Sequence, residues 1–191
     1  MPPDATETKR RILAAARREF ARFGLAGARI DRIADSAMAN KRSIYVHFGP
    51  KEHLFDLVVV DALAAMSEAV PFAADDLPGY AGRLFDYLLS EPETLRLGTW
   101  ASLERPEAAE VEVSAYRVKI EQLEERYGSA AADVLVLMLG LITAWQAGSP
   151  ELTALGESRS SAEVIAAHRA RLVSGVAALA ASLDGRGFPR G

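Results

Sequence analysis

The sequence predicts an all-α fold of about nine helices, and three observations carry that prediction. Apolar residues recur at three- and four-residue steps through nearly the whole 191-residue chain. Helix-start and helix-stop signals punctuate this pattern at spacings usual for globular helices. No stretch of useful length alternates apolar and polar residues with the two-residue period of a strand. Half of the residues are hydrophobic and a quarter charged, which is a globular composition with enough material for a real core.

The elements follow in order. The first helix carries Ile12, Leu13, Ala16, Phe20 and Phe23 on one stripe, with Thr6 or Thr8 placed to cap its start and Gly24 suited to its end. A short helix from about Arg29 to Ala37 buries Ile30, Ile33 and Ala34. Another runs from about Asn40 to Phe48, with Asn40 as its N-cap. Pro50 breaks the chain, and a longer helix from about Lys51 to Val70 carries Leu54, Phe55, Val58, Leu63 and Met66 until Pro71 stops it. Further helices are predicted at Leu77–Ser90, Pro92–Glu104, Pro106–Tyr127, Ser129–Ala147 and Ser161–Leu183. Pro78, Pro92 and Pro106 fall in first turns, where a missing N–H costs little. Ser160 and Glu163 fit a capping box, residues 148–159 read as a loop, and residues 184–191 as a fraying tail.

Composition excludes several functions. The absence of cysteine removes disulfides, thiolate nucleophiles and cysteine-ligated zinc together. His47, His53 and His168 are scattered, so no metal site is expected. There is no paired-carboxylate motif, glycine-rich phosphate loop, HExxH or nucleophile elbow, so the chain reads as a non-enzyme without a cofactor. The N-terminal residues MPPDATETKRR lack the apolar core of a signal peptide. The longest apolar run, Val134 to Trp145, falls short of the ~20 residues a membrane helix needs, and Asp133 abuts it. A cytoplasmic protein with no membrane association is the expectation.

Charge is distributed unevenly. Residues 1–54 hold eleven basic and six acidic side chains, a net of +5, which leaves −9 for the remainder of a chain whose total is −4. A basic head on an acidic body suits a protein that meets a polyanion at one end only.

The helices at about 29–37 and 40–48 are separated by only a few residues, the spacing of a helix-turn-helix, whose second helix enters the DNA major groove. Asn40, Lys41, Arg42, Ser43 and Tyr45 supply the polar groups that this role needs. Arg42 can present a bidentate fork to guanine or bind a phosphate. Ile44 and Phe48, four residues apart, face inward, while Tyr45 and His47 offer donors to phosphate oxygens. Lys51 opens the next helix, where the N-terminal dipole also attracts an anion.

From Ile33 to Phe55 the segment IADSAMANKRSIYVHFGPKEHLF resembles the N-terminal signature of the tetracycline-repressor (TetR) family of bacterial regulators. The matching positions are Ile33, Ala34, Ala37, Lys41, Ile44, Tyr45, His47, Phe48, Lys51, Glu52 and Leu54. Upstream, RRILAAARREFARFGLAGARI is similar to that family's first helix and the entry to its second. The resemblance implies a three-helix DNA-binding head at 1–50, an all-helical ligand-binding and dimerisation body at 51–191, and a homodimer on double-stranded operator DNA. Carried over by position, Lys41, Tyr45, His47 and Lys51 fall where the family contacts DNA. Three departures stand out. Met38 replaces the usual turn glycine, which makes a left-handed backbone costlier by about 1 kcal/mol. Ala28 replaces a capping threonine, at a cost of ~1 kcal/mol, with Arg29 beside it able to restore a phosphate contact. Arg42 stands where glycine is frequent and adds a cation to the groove.

In the body, residues 130–148 (AAADVLVLMLGLITAWQAG) are apolar around the helix and are expected to be buried on every side. Residues 161–183 place Ile165, His168 or Arg169, Leu172, Val176, Leu179 and Leu183 on one stripe beside Ala177, Ala178 and Ala181. The resemblance implies that helices at about 129–147 and 161–183 form a four-helix interface with a second copy; an intramolecular core is the alternative. Met66, Phe72, Tyr87, Trp100, Tyr116, Met138 and Trp145 are candidate lining residues for an effector pocket, and the body's acidity mildly disfavours an anionic effector. The function expected is a one-component repressor released from a palindromic operator by an unidentified small molecule. The alternative is a DNA-binding dimer controlled by a protein partner, or an activator, without a small ligand.

Overall fold

The computed structural model describes residues 5–105, 107, 109–149 and 161–184, and these are helical throughout apart from short connections. The elements are α1 (Ala5–Gly27), α2 (Ile30–Ala37), α3 (Lys41–Phe48), α4 (Lys51–Ala69), α5 (Leu77–Ser90), α6 (Pro92–Glu104), α7 (Glu110–Tyr127), a 3₁₀ turn (Gly128–Ala130), α8 (Ala131–Ala147) and α9 (Ala162–Ser182). The all-α class is therefore as expected, and most predicted spans agree within a residue or two.

Some ends differ. Thr6 and Thr8 lie inside α1, which already runs at Ala5, and not at an N-cap position within the described residues. The helix placed from Pro106 begins at Glu110, where the Glu112 carboxylate accepts from the Ala109 N–H at 3.1 Å and so caps the turn; Pro106 lies outside the described residues. Ser160 also lies outside them, and the α9 N-cap, Ser161, makes no side-chain cap bond. Gly24 does leave the helical path, at φ 68° and ψ −176°, but α1 resumes for one further turn to Gly27. A side chain could not follow it there: a Cβ on Gly24 would sit 2.8 Å from Trp100 Cε3 and 2.9 Å from the Glu104 carboxylate. That carboxylate accepts from the backbone N–H groups of Leu25 and Ala26, which opens the resumed turn.

The chain divides into two compact units, each made of two separate stretches of sequence. One unit is Met1–Glu68 with Glu91–Val113; the other is Ala69–Ser90 with Ser114–Gly191. The first closes because α6 packs along α1. Its core joins Ile12, Ala16, Phe20, Ile33, Ile44, Leu54, Phe55, Val58 and Val59 to Leu97 and Ala101 of α6. Phe20 and Phe55 meet edge to face at 5.1 Å and are fully buried. Polar contacts seal the same seam: Arg17 donates to Thr94 Oγ1 at 3.0 Å and to Glu93 at 3.2 Å, and Trp100 Nε1 donates to the Ala21 carbonyl at 3.4 Å. Arg105 holds Glu112 at 2.7 Å, both side chains being nearly buried, with Asp56 at 3.4 Å.

In the second unit α9 packs on α5 and α8, and α5 on α8. Tyr80, Phe85, Leu123, Val134, Met138, Ile142 and Val176 are buried there. The expectation that residues 130–148 are buried on every side fails within the single chain. Ala131, Val134, Leu135, Met138 and Ile142 are buried, but Val136, Leu137 and Leu141 are 67, 49 and 40% exposed. Among the described residues α8 has neighbours on one side only, so an all-round apolar helix leaves an apolar face uncovered. The stretches Glu110–Ala147 and Ala162–Ser182 are long and apolar enough, by length and composition alone, to cross a membrane, a test that core helices also pass. The longer of them reaches that length only by joining α7 to α8 through the 3₁₀ turn.

Candidate nucleic-acid interface

The turn between α2 and α3 sets the interface. Ile30, Ile33, Ala34 and Ala37 seat α2 in the core, and Ile44 and Phe48 seat α3. Between them Met38 adopts φ 49° and ψ 45°, the single non-glycine with positive φ among the described residues. The Ala39 N–H then reaches the Ala34 carbonyl at 2.9 Å and the Met38 N–H that of Asp35 at 3.1 Å, closing a Schellman-type turn. The Met38 side chain is exposed and supports nothing, so the strain is uncompensated. Met38→Gly is expected to stabilise the protein by up to ~1 kcal/mol, read as a higher thermal midpoint with unchanged helicity. A lower midpoint would show that the turn is not held in this conformation.

Asn40 caps α3 as expected, its Oδ1 accepting from the Arg42 N–H at 2.8 Å. On a helix turning about 100° per residue, the side opposite Ile44 and Phe48 carries Arg42 and Val46, flanked by Tyr45 and His47. Arg42, Tyr45, Val46 and His47 are exposed, and Ser43 is half-buried. Val46 was missed by motif reasoning, which looked for polar groups. Its two-residue offset from Ile44 already placed it off the core face, and an outward valine suits the methyl group of thymine.

Two predicted contacts are engaged within the protein. Lys41 Nζ pairs with Asp31 Oδ1 at 2.7 Å, and that hydrogen bond with the exposed carboxylate raises its pKa. Lys51 Nζ donates to the Ala28 carbonyl at 3.3 Å and is half-buried. Arg29, exposed, is the N-cap residue of α2 but makes no side-chain cap bond. Instead the buried Glu19 carboxylate of α1 accepts from the Arg29 N–H at 2.9 Å and from Arg32 Nε at 2.7 Å. This explains how Ala28, buried in the core, can stand without a capping hydroxyl: the cap comes from another helix. Glu19 gave no local signal, lying ten residues upstream on an otherwise ordinary helix face.

The candidate pocket residues are divided between the two units. Met66 and Trp100 belong to the first unit, where Trp100 packs against α1. In the second, Met138 is wholly buried, Tyr87 is half-buried, Trp145 lies 4.3 Å from the His168 ring, and Tyr116 is half exposed. A depression of about 510 Å3 in that unit is lined by Ala74, Asp75, Gln122, Glu125, Arg126 and Asp184, none of them predicted. Large apolar side chains on a helical stripe are mostly taken up by core packing, so composition alone could not separate lining from core.

Comparison with known proteins agrees with this architecture. The TetR-family N-terminal model (bacterial regulatory proteins) matches residues 12–58, and a tetracyclin repressor-like C-terminal domain model matches residues 76–177. The HTH-type transcriptional repressor SCO4008 of Streptomyces coelicolor is 48% identical over 101 residues, 53% of each chain. The HTH-type transcriptional repressor NicS of Pseudomonas putida is 36% identical over 96 residues, 47% of this chain and 45% of its own. The match thus spans about half the length of these curated relatives. A crystal structure of SCO4942 from Streptomyces coelicolor, assigned as a transcriptional regulator, superposes with a TM-score of 0.78 at 37% identity, over 90% of this chain and 97% of that one. With both halves matched by its models and the helix-turn-helix in place, the chain belongs to the TetR family of DNA-binding transcriptional regulators.

Proposed function

We propose that this protein is a homodimeric one-component repressor, cytoplasmic beside its DNA, that places α3 in the major groove of a palindromic operator and is released by a small-molecule effector. The observation that carries this reading is α3 itself, anchored by Ile44 and Phe48, capped by Asn40, and presenting Arg42, Tyr45, Val46 and His47 outward. Arg29, Ser43 and Lys51 flank that surface as phosphate ligands, and Lys41 reaches DNA by exchanging Asp31 for a phosphate. The family typically acts as a dimer, and the uncovered Val136, Leu137 and Leu141 of α8, with the exposed Ala177, Ala178 and Ala181 of α9, supply an apolar surface for a second copy. Two-fold symmetry then sets the α3 helices about one turn of DNA apart, ~34 Å. Effector binding shifts the population toward dimers with mismatched head spacing, which takes only a differential affinity of about 1–3 kcal/mol.

Selection of bound duplexes from a random pool tests the reading, with a two-fold-symmetric consensus expected. Arg42→Ala should relax one base position per half-site and weaken binding by about 1–3 kcal/mol, roughly 5- to 150-fold. Val46→Ala should relax a position preferring thymine. The absence of salt-sensitive affinity for any duplex would overturn the reading.

A further inference from the structure

Lys119 of α7 occupies an unusual position in the second unit. Its Nζ lies 5.8 Å from the centre of the Phe72 ring and 5.7 Å from that of Tyr116. Phe72 meets Tyr80 edge to face at 4.9 Å, and Tyr80 is buried deeply enough to push its phenol up to about 12. One ammonium therefore faces an aromatic cluster drawn from α5, the segment before it, and α7.

Three arginines of the same unit hold a carboxylate: Arg83 holds Asp76, Arg126 holds Asp184, and Arg169 holds Asp86, while Arg117 and Arg171 are exposed to water. Lys119 pairs with no carboxylate among the described residues. Burial pushes its pKa down, and no acidic neighbour raises it. Ring faces attract a cation but do not neutralise it. A half-buried ammonium without a counter-charge has lost part of its hydration, so an anion that contacts it there gains more than at a fully solvated lysine.

We infer that Lys119, with Phe72, Tyr80 and Tyr116, forms a binding site for a small organic carboxylate carried on an aromatic or apolar body. The ammonium takes the carboxylate, and the half-exposed ring of Tyr116 with the half-buried ring of Phe72 covers the body. The acidity of residues 55–191 does not forbid this, because charges beyond a Debye length of ~8 Å are largely screened while a contacting ammonium is not. The acidic depression around Asp75, Glu125 and Asp184 is a separate feature, since none of the four cluster residues lines it. The inference gives a chemical class to the effector in the proposed function and rests on that reading for its regulatory meaning only.

Calorimetric titration of the full chain with benzoate, 2-naphthoate, octanoate and the neutral 2-naphthamide tests the site without DNA. At least one carboxylate is expected to bind, and 2-naphthoate at least tenfold more tightly than 2-naphthamide. Lys119→Gln and Lys119→Met, each with native helicity, should lose that preference, whereas Lys119→Arg should retain it. Equal affinity for 2-naphthoate and 2-naphthamide, a preference surviving in Lys119→Gln, or no binding of any carboxylate at millimolar concentration would overturn the site. Anisotropy of a labelled operator, with the same compounds added, reads the regulatory step separately. Lys119-dependent binding without release upholds the anion site and removes its effector role.

Discussion

Leu137→Glu is expected to convert the protein to monomers and to weaken operator binding by ~100-fold or more, since a single head loses the effective concentration that its linked partner provides. Leu137 sits between Val136 and Leu141 on the uncovered face of α8. In an isologous dimer every substitution occurs twice, and the two copies lie near the symmetry axis or face each other's surroundings. Each introduced carboxylate would have to leave water for an apolar contact, at a cost of several kcal/mol per ion. Two of them exceed the ~4 kcal/mol that shifts an association constant a thousandfold. Sedimentation velocity at micromolar concentration should show the variant near 20.6 kDa and the parent near twice that mass. Circular dichroism should be unchanged, because Leu137 is half exposed in the single chain. A variant that stays dimeric would place the interface elsewhere.

The largest loss of stability is expected from Phe20→Ala. Phe20 is wholly buried, joins α1 to α4 through Phe55, and lies in the core that α6 completes through Leu97 and Ala101. Truncating such a ring removes its transfer energy and leaves a cavity, for a cost of about 3–5 kcal/mol. In a chain of this size each kcal/mol moves the thermal midpoint by roughly 2–4 °C, so the unit containing the helix-turn-helix should melt at least ~6 °C lower. Leu103→Ala is the natural comparison, because Leu103 is just as apolar but 71% exposed, and its effect should stay within about 0.5 kcal/mol. Denaturation followed by circular dichroism measures both. Equal effects would mean that the α1–α4–α6 core is not the one described.

Much of the candidate interface was legible in the sequence because its signals are local. Asn40 caps the helix that it immediately precedes, Ile44 and Phe48 share a face by spacing alone, and Met38 stands in the turn where a positive φ was expected. Caps, turns and periodic faces depend on residues within about one helical turn, and a linear reading sees them all. What escaped was non-local. Nothing near Glu19 indicates that it caps α2, and nothing near Asp31 indicates that it holds Lys41. Nothing near Trp100 indicates that α6 packs on α1 and takes it into the first unit.

The sequence by itself determined the helices, the helix-turn-helix, and the family to which they belong. Those properties follow from propensity, periodicity and capping between near neighbours. Only the tertiary structure decided that residues 91–113 complete the N-terminal unit, that one face of α8 stays uncovered, and that Lys119 meets aromatic rings in place of a carboxylate. Each of these depends on which distant surfaces meet. Apolar stripes are largely interchangeable in one dimension, and the choice of partner follows from shape and charge once the helices are packed.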